Sequence, residues 1–258
     1  MNPPLRKSTF SFRYKEPRLD NLKALSSKIS LVKYKCHAAY GNILDLVNES
    51  VDYVALTTLA QYYDIPMHCF TFPDFQMAPT LEEFERILNR SIKDHNPFPK
   101  IEEDFAMPKL ASVLGIDVGE LAANWAPKGV DKGFTKKNLE GHAWKFAKEN
   151  KWESCIAFLA LLIYAIVLFP NIDNFIDHAV VEIFLSGNPV PFLLADFYHT
   201  FHTLPEKKGG TFLCCAPLLY IWMKTHMPLA GPFVSKDLPW CQKFVSLSSG
   251  TIQWYKRE

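Results

Sequence analysis

The chain has no cysteine pair spaced C-x-x-C, no apolar run long enough to cross a bilayer and no excess of charge of either sign, and each absence removes a class of protein. The six cysteines, Cys36, Cys69, Cys155, Cys214, Cys215 and Cys241, are scattered along the sequence. That scatter excludes a zinc ribbon or a disulfide framework and reads as reduced thiols in an intracellular protein. The main apolar run, residues 155–169, is 15 uncharged and mostly apolar residues, short of the roughly 20 that span hydrocarbon, so it reads as a buried central helix or, failing that, an interfacial segment. Lys and Arg total 28 against 27 Asp and Glu, a net charge of +1, so attraction to nucleic acid or acidic membranes needs a local patch. The first 15 residues mix Pro, Arg, Lys and Ser without an apolar segment and make no secretory signal. Internal repeats and low-complexity tracts are also missing.

What is present is apolar and aromatic. Hydrophobic residues make up 48% of the chain and 20 residues are Phe, enough apolar surface to offset chain entropy and build one large core. Residues 1–20 read as a flexible arm and residues 21–258 as a single helical domain. Ile43, Leu44, Leu46 and Val47, then Val54, Leu56, Leu59 and Tyr62, recur at helical spacing on either side of an Asn48-Glu49-Ser50 turn, which predicts a helix pair. Residues 68–78 place β-favouring side chains on both sides of Pro73-Asp74, a turn signal that predicts a small β-hairpin. Thr80 and Glu83 then form a capping-box pattern ahead of Leu81, Phe84, Ile87 and Leu88. Residues 91–103, with Pro97 and Pro99, predict a surface loop. Helices are expected over residues 108–125 with a break at Gly115, 136–150 with Leu139, Ala143 and Phe146 inward, 176–185, 191–203 and 211–227, the last kinked or restarted at Pro217, with a flexible turn at residues 206–210. The expected fold is mainly α, with one small β-hairpin.

Three constellations invite a catalytic or metal-binding reading. Asp196, His199 and His202 fall at i, i+3 and i+6 on one predicted helix and have the chemistry of metal ligands. Their spacing is not that of a helical zinc enzyme, and polar residues on an amphipathic helix explain them as well. His178 and Glu182, at i and i+4, form an acid–base pair or a plain surface contact. Cys214-Cys215 sits among apolar neighbours, which makes a thiol inert, so it reads as packing. No catalytic, cofactor or metal residue is therefore assigned, and a non-catalytic interaction domain is the expectation.

Nucleic acid is the alternative partner. Residues 109–125, KLASVLGIDVGELAANW, have helix-turn-helix spacing with Gly115 in the turn and Leu121 on the second helix. That second helix bears Asp117 and Glu120 and no basic residue before Lys128, where a recognition helix presents Arg, Lys, Asn or Gln. Just downstream, Lys128, Lys132, Lys136, Lys137, Lys145, Lys148 and Lys151 stand against Asp131, Glu140 and Glu149, a local net of +4. Such a stripe meets phosphate without reading sequence, or is merely solvated.

The block HCFTFPDFQMAPTLEEF at residues 68–84, followed by LFP at 168–170, ADFYH at 195–199, Gly209-Gly210 and LLYIW at 218–222, resembles the aminotransferase-like, plant mobile domain family. The resemblance implies a transposable-element-derived domain, nuclear where hosts have adopted it, with protein partners and no established catalytic residues; it also implies a domain left incomplete near residue 258. The family's name does not carry chemistry here, because no strand–glycine turn–helix unit is present to cradle a cofactor phosphate.

Overall fold

In the computed structural model, the described residues are 11–93, 107–171, 175–206 and 209–254. Strand β1 (Ser11–Tyr14) is the first element of the described residues, inside the stretch expected as an arm. Four helices follow: α1 (Asp20–Lys28), α2 (Lys33–Tyr40), α3 (Ile43–Asn48) and α4 (Tyr53–Ala60). Then come strands β2 (Tyr63–Asp64), β3 (Cys69–Thr71) and β4 (Gln76–Met77), and helices α5 (Leu81–Leu88), α6 (Met107–Leu114) and α7 (Val118–Ala122). The hairpin β5 (Ala126–Lys128) and β6 (Asp131–Thr135) leads into α8 (Lys136–Lys148) and α9 (Trp152–Ile163), then β7 (Phe175–Asp177), α10 (His178–Ser186) and α11 (Val190–Glu206). Strand β8 (Gly209–Phe212) and helices α12 (Ala216–His226) and α13 (Trp240–Val245) complete the described chain.

The fold is mainly α, but the single expected hairpin is replaced by three small sheets. The predicted hairpin exists as β3 and β4, with β2 added on its outer side. A second antiparallel sheet runs β5-β6-β7, and β1 pairs parallel with β8 across the length of the chain. Two of these show no local pattern in the sequence for a physical reason: strands of three to five residues are too short to display alternation, and β7 and β8 find their partners far away in sequence. The segment expected as a flexible turn at residues 206–210 contributes Gly209 and Gly210 to β8, while residues 207–208 lie outside the described chain. The helix expected from residue 211 starts instead at Ala216, with Pro217 in its first turn, where its missing N–H costs nothing. The predicted loop at residues 91–103 lies outside the described residues from 94 onward.

Helix α9 and the π-helical turn Tyr164–Leu168 that extends it are buried on all sides, from Cys155 to Leu168. Helices α1, α2, α3, α6 and α8 pack around α9, so the apolar run read as a central helix is the axis of the core. Pro170 follows the π turn and prevents continuation. A second packing centre is aromatic. Phe70 of β3, Phe197 and Phe201 of α11, Phe212 of β8 and Trp222 of α12 meet at ring-centroid distances of 4.5 to 5.8 Å, in the tilted and edge-on geometries that aromatic quadrupoles favour. This cluster ties the sheet of β2-β3-β4 to the C-terminal helices. One expected core residue, Val54, lies 66% exposed, because α4 begins at Tyr53, just behind its Asp52 cap, and turns Ala55, Leu56 and Leu59 inward instead.

Candidate functional site

Residues 109–125 do form two helices joined at Gly115. That glycine adopts φ +65°, and a Cβ on it would lie 2.3 Å from Ser154 Oγ, so the turn requires glycine on both counts. Asp117 caps α7 by accepting from Gly119 N at 2.8 Å and Glu120 N at 3.1 Å. Leu121 is fully buried, while Glu120 is part-exposed on the outer side. With five residues, α7 is under two turns long, and its acidic first turn faces out.

The chain then enters the β5–β6 hairpin, where Gly133 lets the backbone of β7 approach: a Cβ there would sit 2.0 Å from Ile176 O. Thr135 ends β6 and caps α8 by accepting from Asn138 N at 3.2 Å. Between the end of α7 and the first three turns of α8 lies an open groove of about 610 Å³, lined by Asn124, Thr135, Lys137, Asn138, His142 and Lys145. The two segments singled out in the sequence thus form its two walls.

The seven lysines divide among different surroundings. Lys128 and Lys132 are on the β5–β6 hairpin, not on the helix, and Lys128 lies 5.3 Å over the Phe175 ring. Lys136 turns toward α1, 3.6 Å from Glu140 and 3.2 Å from the Arg18 carbonyl. Lys137, Lys145 and Lys148 are exposed on one face of α8; at 100° per residue they fall within about 80° of arc. Lys145 approaches Glu120 to 3.4 Å, and Lys151 approaches Glu149 to 2.8 Å. Gly141 lies on the same exposed face, with nothing within 4 Å of where its Cβ would be.

Within the groove, Asn138 Nδ2 donates to Asn124 Oδ1 at 2.6 Å, and Asn124 Nδ2 donates to the Glu120 carbonyl at 2.8 Å. Glu120 Oε1 also lies 3.8 Å from His142 Nδ1. Burial holds the His142 ring below the usual histidine range; Glu120 opposes that effect and Lys145 adds to it. Among the described residues, Asn138 Oδ1 and His142 Nδ1 are buried without a hydrogen-bond partner.

The other candidates stay apart. Asp196, His199 and His202 all lie on α11, yet Asp196 is mostly buried, His199 is exposed, and His202 stacks on His68 at 5.6 Å. No group of three or more His, Cys, Asp or Glu among the described residues is placed to hold a metal ion. His178 Nε2 and Glu182 Oε1 are 3.5 Å apart within α10, a contact within one helix. Cys214 and Cys215 are buried, and burial pushes both thiols up, Cys215 to about 12, where thiolate chemistry is out of reach at neutral pH.

One polar centre went unread. Glu83, known from sequence only as a helix cap, accepts from Thr80 N at 2.9 Å as expected, and also from Trp222 Nε1 at 3.0 Å. His226 Nε2 lies 2.8 Å from Glu83 Oε1 as a close ion pair without an aligned hydrogen bond. Its Nδ1 lies 2.9 Å from the Gln253 carbonyl. Burial pushes the Glu83 carboxyl up, but His226, Trp222 and the Thr80 amide together hold it below the usual range. Both Glu83 and His226 are under 9% exposed, so the pair serves to lock α5, α12 and the C-terminal segment together. The available signal was the i, i+4 placement of Trp222 and His226 on α12, which a single sequence does not connect to residue 83.

A family match over residues 22–258 covers most of the chain. The protein belongs to the DUF7745 family, a domain of unknown function. No curated protein matches the chain, and no solved structure does. No helix of the described residues is long and apolar enough to cross a membrane.

Proposed function

We propose that this domain is a non-catalytic interaction module of transposable-element origin, and that the contact its geometry serves best is with the phosphate backbone of nucleic acid. The observation that carries this reading is the exposed row of Lys137, Lys145 and Lys148 on α8, beside the groove and the lysine-bearing β5–β6 hairpin. Three ammonium groups on one rigid helix face neutralise successive phosphates without reading bases. The contact does not run through α7, whose short length and outward Glu120 disfavour insertion into a duplex groove. The transposable-element ancestry and a nuclear setting rest on the plant mobile domain resemblance.

A salt-dependent gel shift tests this. Three phosphate contacts predict a slope of about −2 to −3 in log affinity against log salt, and replacing the three lysines with Gln flattens it toward zero. Binding that ignores salt, or that survives the triple substitution, overturns the reading. A protein partner is the second reading. It is favoured by Val54 on α4, Val234 in the 3-10 turn Gly231–Val234, and Val245 on α13, all more than half exposed on elements that pack together. Absence of any nucleic-acid binding by the parent protein would move attention to those apolar side chains.

A further inference from the structure

Glu120 already stands as an anion against two of the side chains that line the groove, His142 and Lys145. Its carboxylate lies 3.4 Å from Lys145 Nζ and 3.8 Å from His142 Nδ1, while its side chain stays 43% exposed and so is held only weakly. Two lining residues carry polar atoms, His142 Nδ1 and Asn138 Oδ1, that are buried without a hydrogen-bond partner among the described residues. Buried polar atoms without partners are uncommon, and at the wall of an open groove they mark positions that a ligand's own polar groups can satisfy. The demands differ: Lys137 and Lys145 ask for an anion, to which the His142 ring can add an N–H, whereas Asn138 Oδ1, a carbonyl oxygen, asks for a hydroxyl or amino donor. The groove's volume of about 610 Å³ exceeds a lone phosphate and falls in the range of small-ligand sites.

We infer that the groove between α7 and α8 takes one phosphorylated nucleoside unit, its phosphate replacing the Glu120 carboxylate against Lys145 and His142 while a sugar hydroxyl or base amino group donates to Asn138. This deepens the proposed phosphate contact of α8 and rests on it for the source of the ligand, a nucleic acid strand. Gly141 makes the approach open, since no side chain projects between Lys137 and Lys145 on the exposed helix face.

Calorimetric titration with adenosine 5′-monophosphate, with inorganic phosphate, and with a single strand of about 12 nucleotides tests the inference on the whole chain. Glu120→Gln removes the internal competitor and is expected to tighten monophosphate binding roughly three- to tenfold. Gly141→Leu leaves every charge in place, sets its Cβ where nothing lies within 4 Å and projects a bulky side chain into the groove, so monophosphate binding is lost while the thermal midpoint does not fall. Lys148→Gln, beyond the groove, weakens the single strand and leaves the monophosphate unchanged. No monophosphate binding, or affinity indifferent to both Glu120→Gln and Gly141→Leu, overturns the groove; strand binding that still weakens with Lys148→Gln in that case leaves the α8 contact standing. Inorganic phosphate binding as tightly as the monophosphate overturns the nucleoside part.

Discussion

Two buried carboxyl groups respond to pH in opposite directions, and the contrast follows from their neighbours. Asp196 sits on α11 with Oδ2 buried and unpartnered among the described residues, and burial pushes its carboxyl up to about 7. Between about pH 4, where the unfolded chain releases this proton, and about pH 7, where the native state does, folding holds a proton the unfolded chain has lost, so stability falls as pH rises. Asp196→Asn removes the penalty while keeping the shape. The variant is expected to gain on the order of 2–4 kcal/mol over the parent at pH 8 and nothing at pH 4, measured by urea unfolding at both. A constant difference across that window would refute the assignment. Glu83 works the other way: its lowered carboxyl contributes stability that is fully present above the unfolded value and is lost as pH falls through the folded one.

Helices of this chain were legible where their apolar faces were long. α8 was read with Leu139, Ala143 and Phe146 inward, and those three are the buried ones; the Thr80–Glu83 capping box is present as expected. The short strands were not legible, since a parallel pair such as β1 and β8 is defined by a partner some two hundred residues away, and no local pattern encodes that distance. The lysine stripe was legible as charge but not as shape, because its division between a hairpin and a helix depends on Thr135 stopping the strand and capping α8. The groove is a product of tertiary structure, as its two walls become neighbours only once the hairpin folds back. Glycine tests the element scale most directly. Gly141→Ala is expected to stabilise by about 0.5–1 kcal/mol, since a mid-helix methyl meets nothing there. Gly115→Ala is expected to cost about 1–2 kcal/mol or more, from its left-handed conformation and the Ser154 contact. The same substitution thus moves the urea midpoint in opposite directions, and equal signs would show that the turn or the groove face is misplaced.

At the scale of the molecule, a net charge of +1 leaves no long-range field to draw in a polyanion. Any contact must come from the local excess around α8, which makes it modest in strength and steeply dependent on salt. That surface belongs to a body whose two ends are stitched together. Tyr14 of β1 stacks on Phe212 at 4.7 Å and is 6% exposed, yet the family match begins only at residue 22. A fragment cut at that boundary would strip β8 of β1, the one strand it pairs with among the described residues, bare an aromatic seam and leave an open edge ready to recruit another chain. Expressed side by side, the fragment starting at residue 22 should aggregate at concentrations where the full chain stays monodisperse in light scattering. The practical border of this domain is therefore set by a four-residue strand that the family description leaves outside.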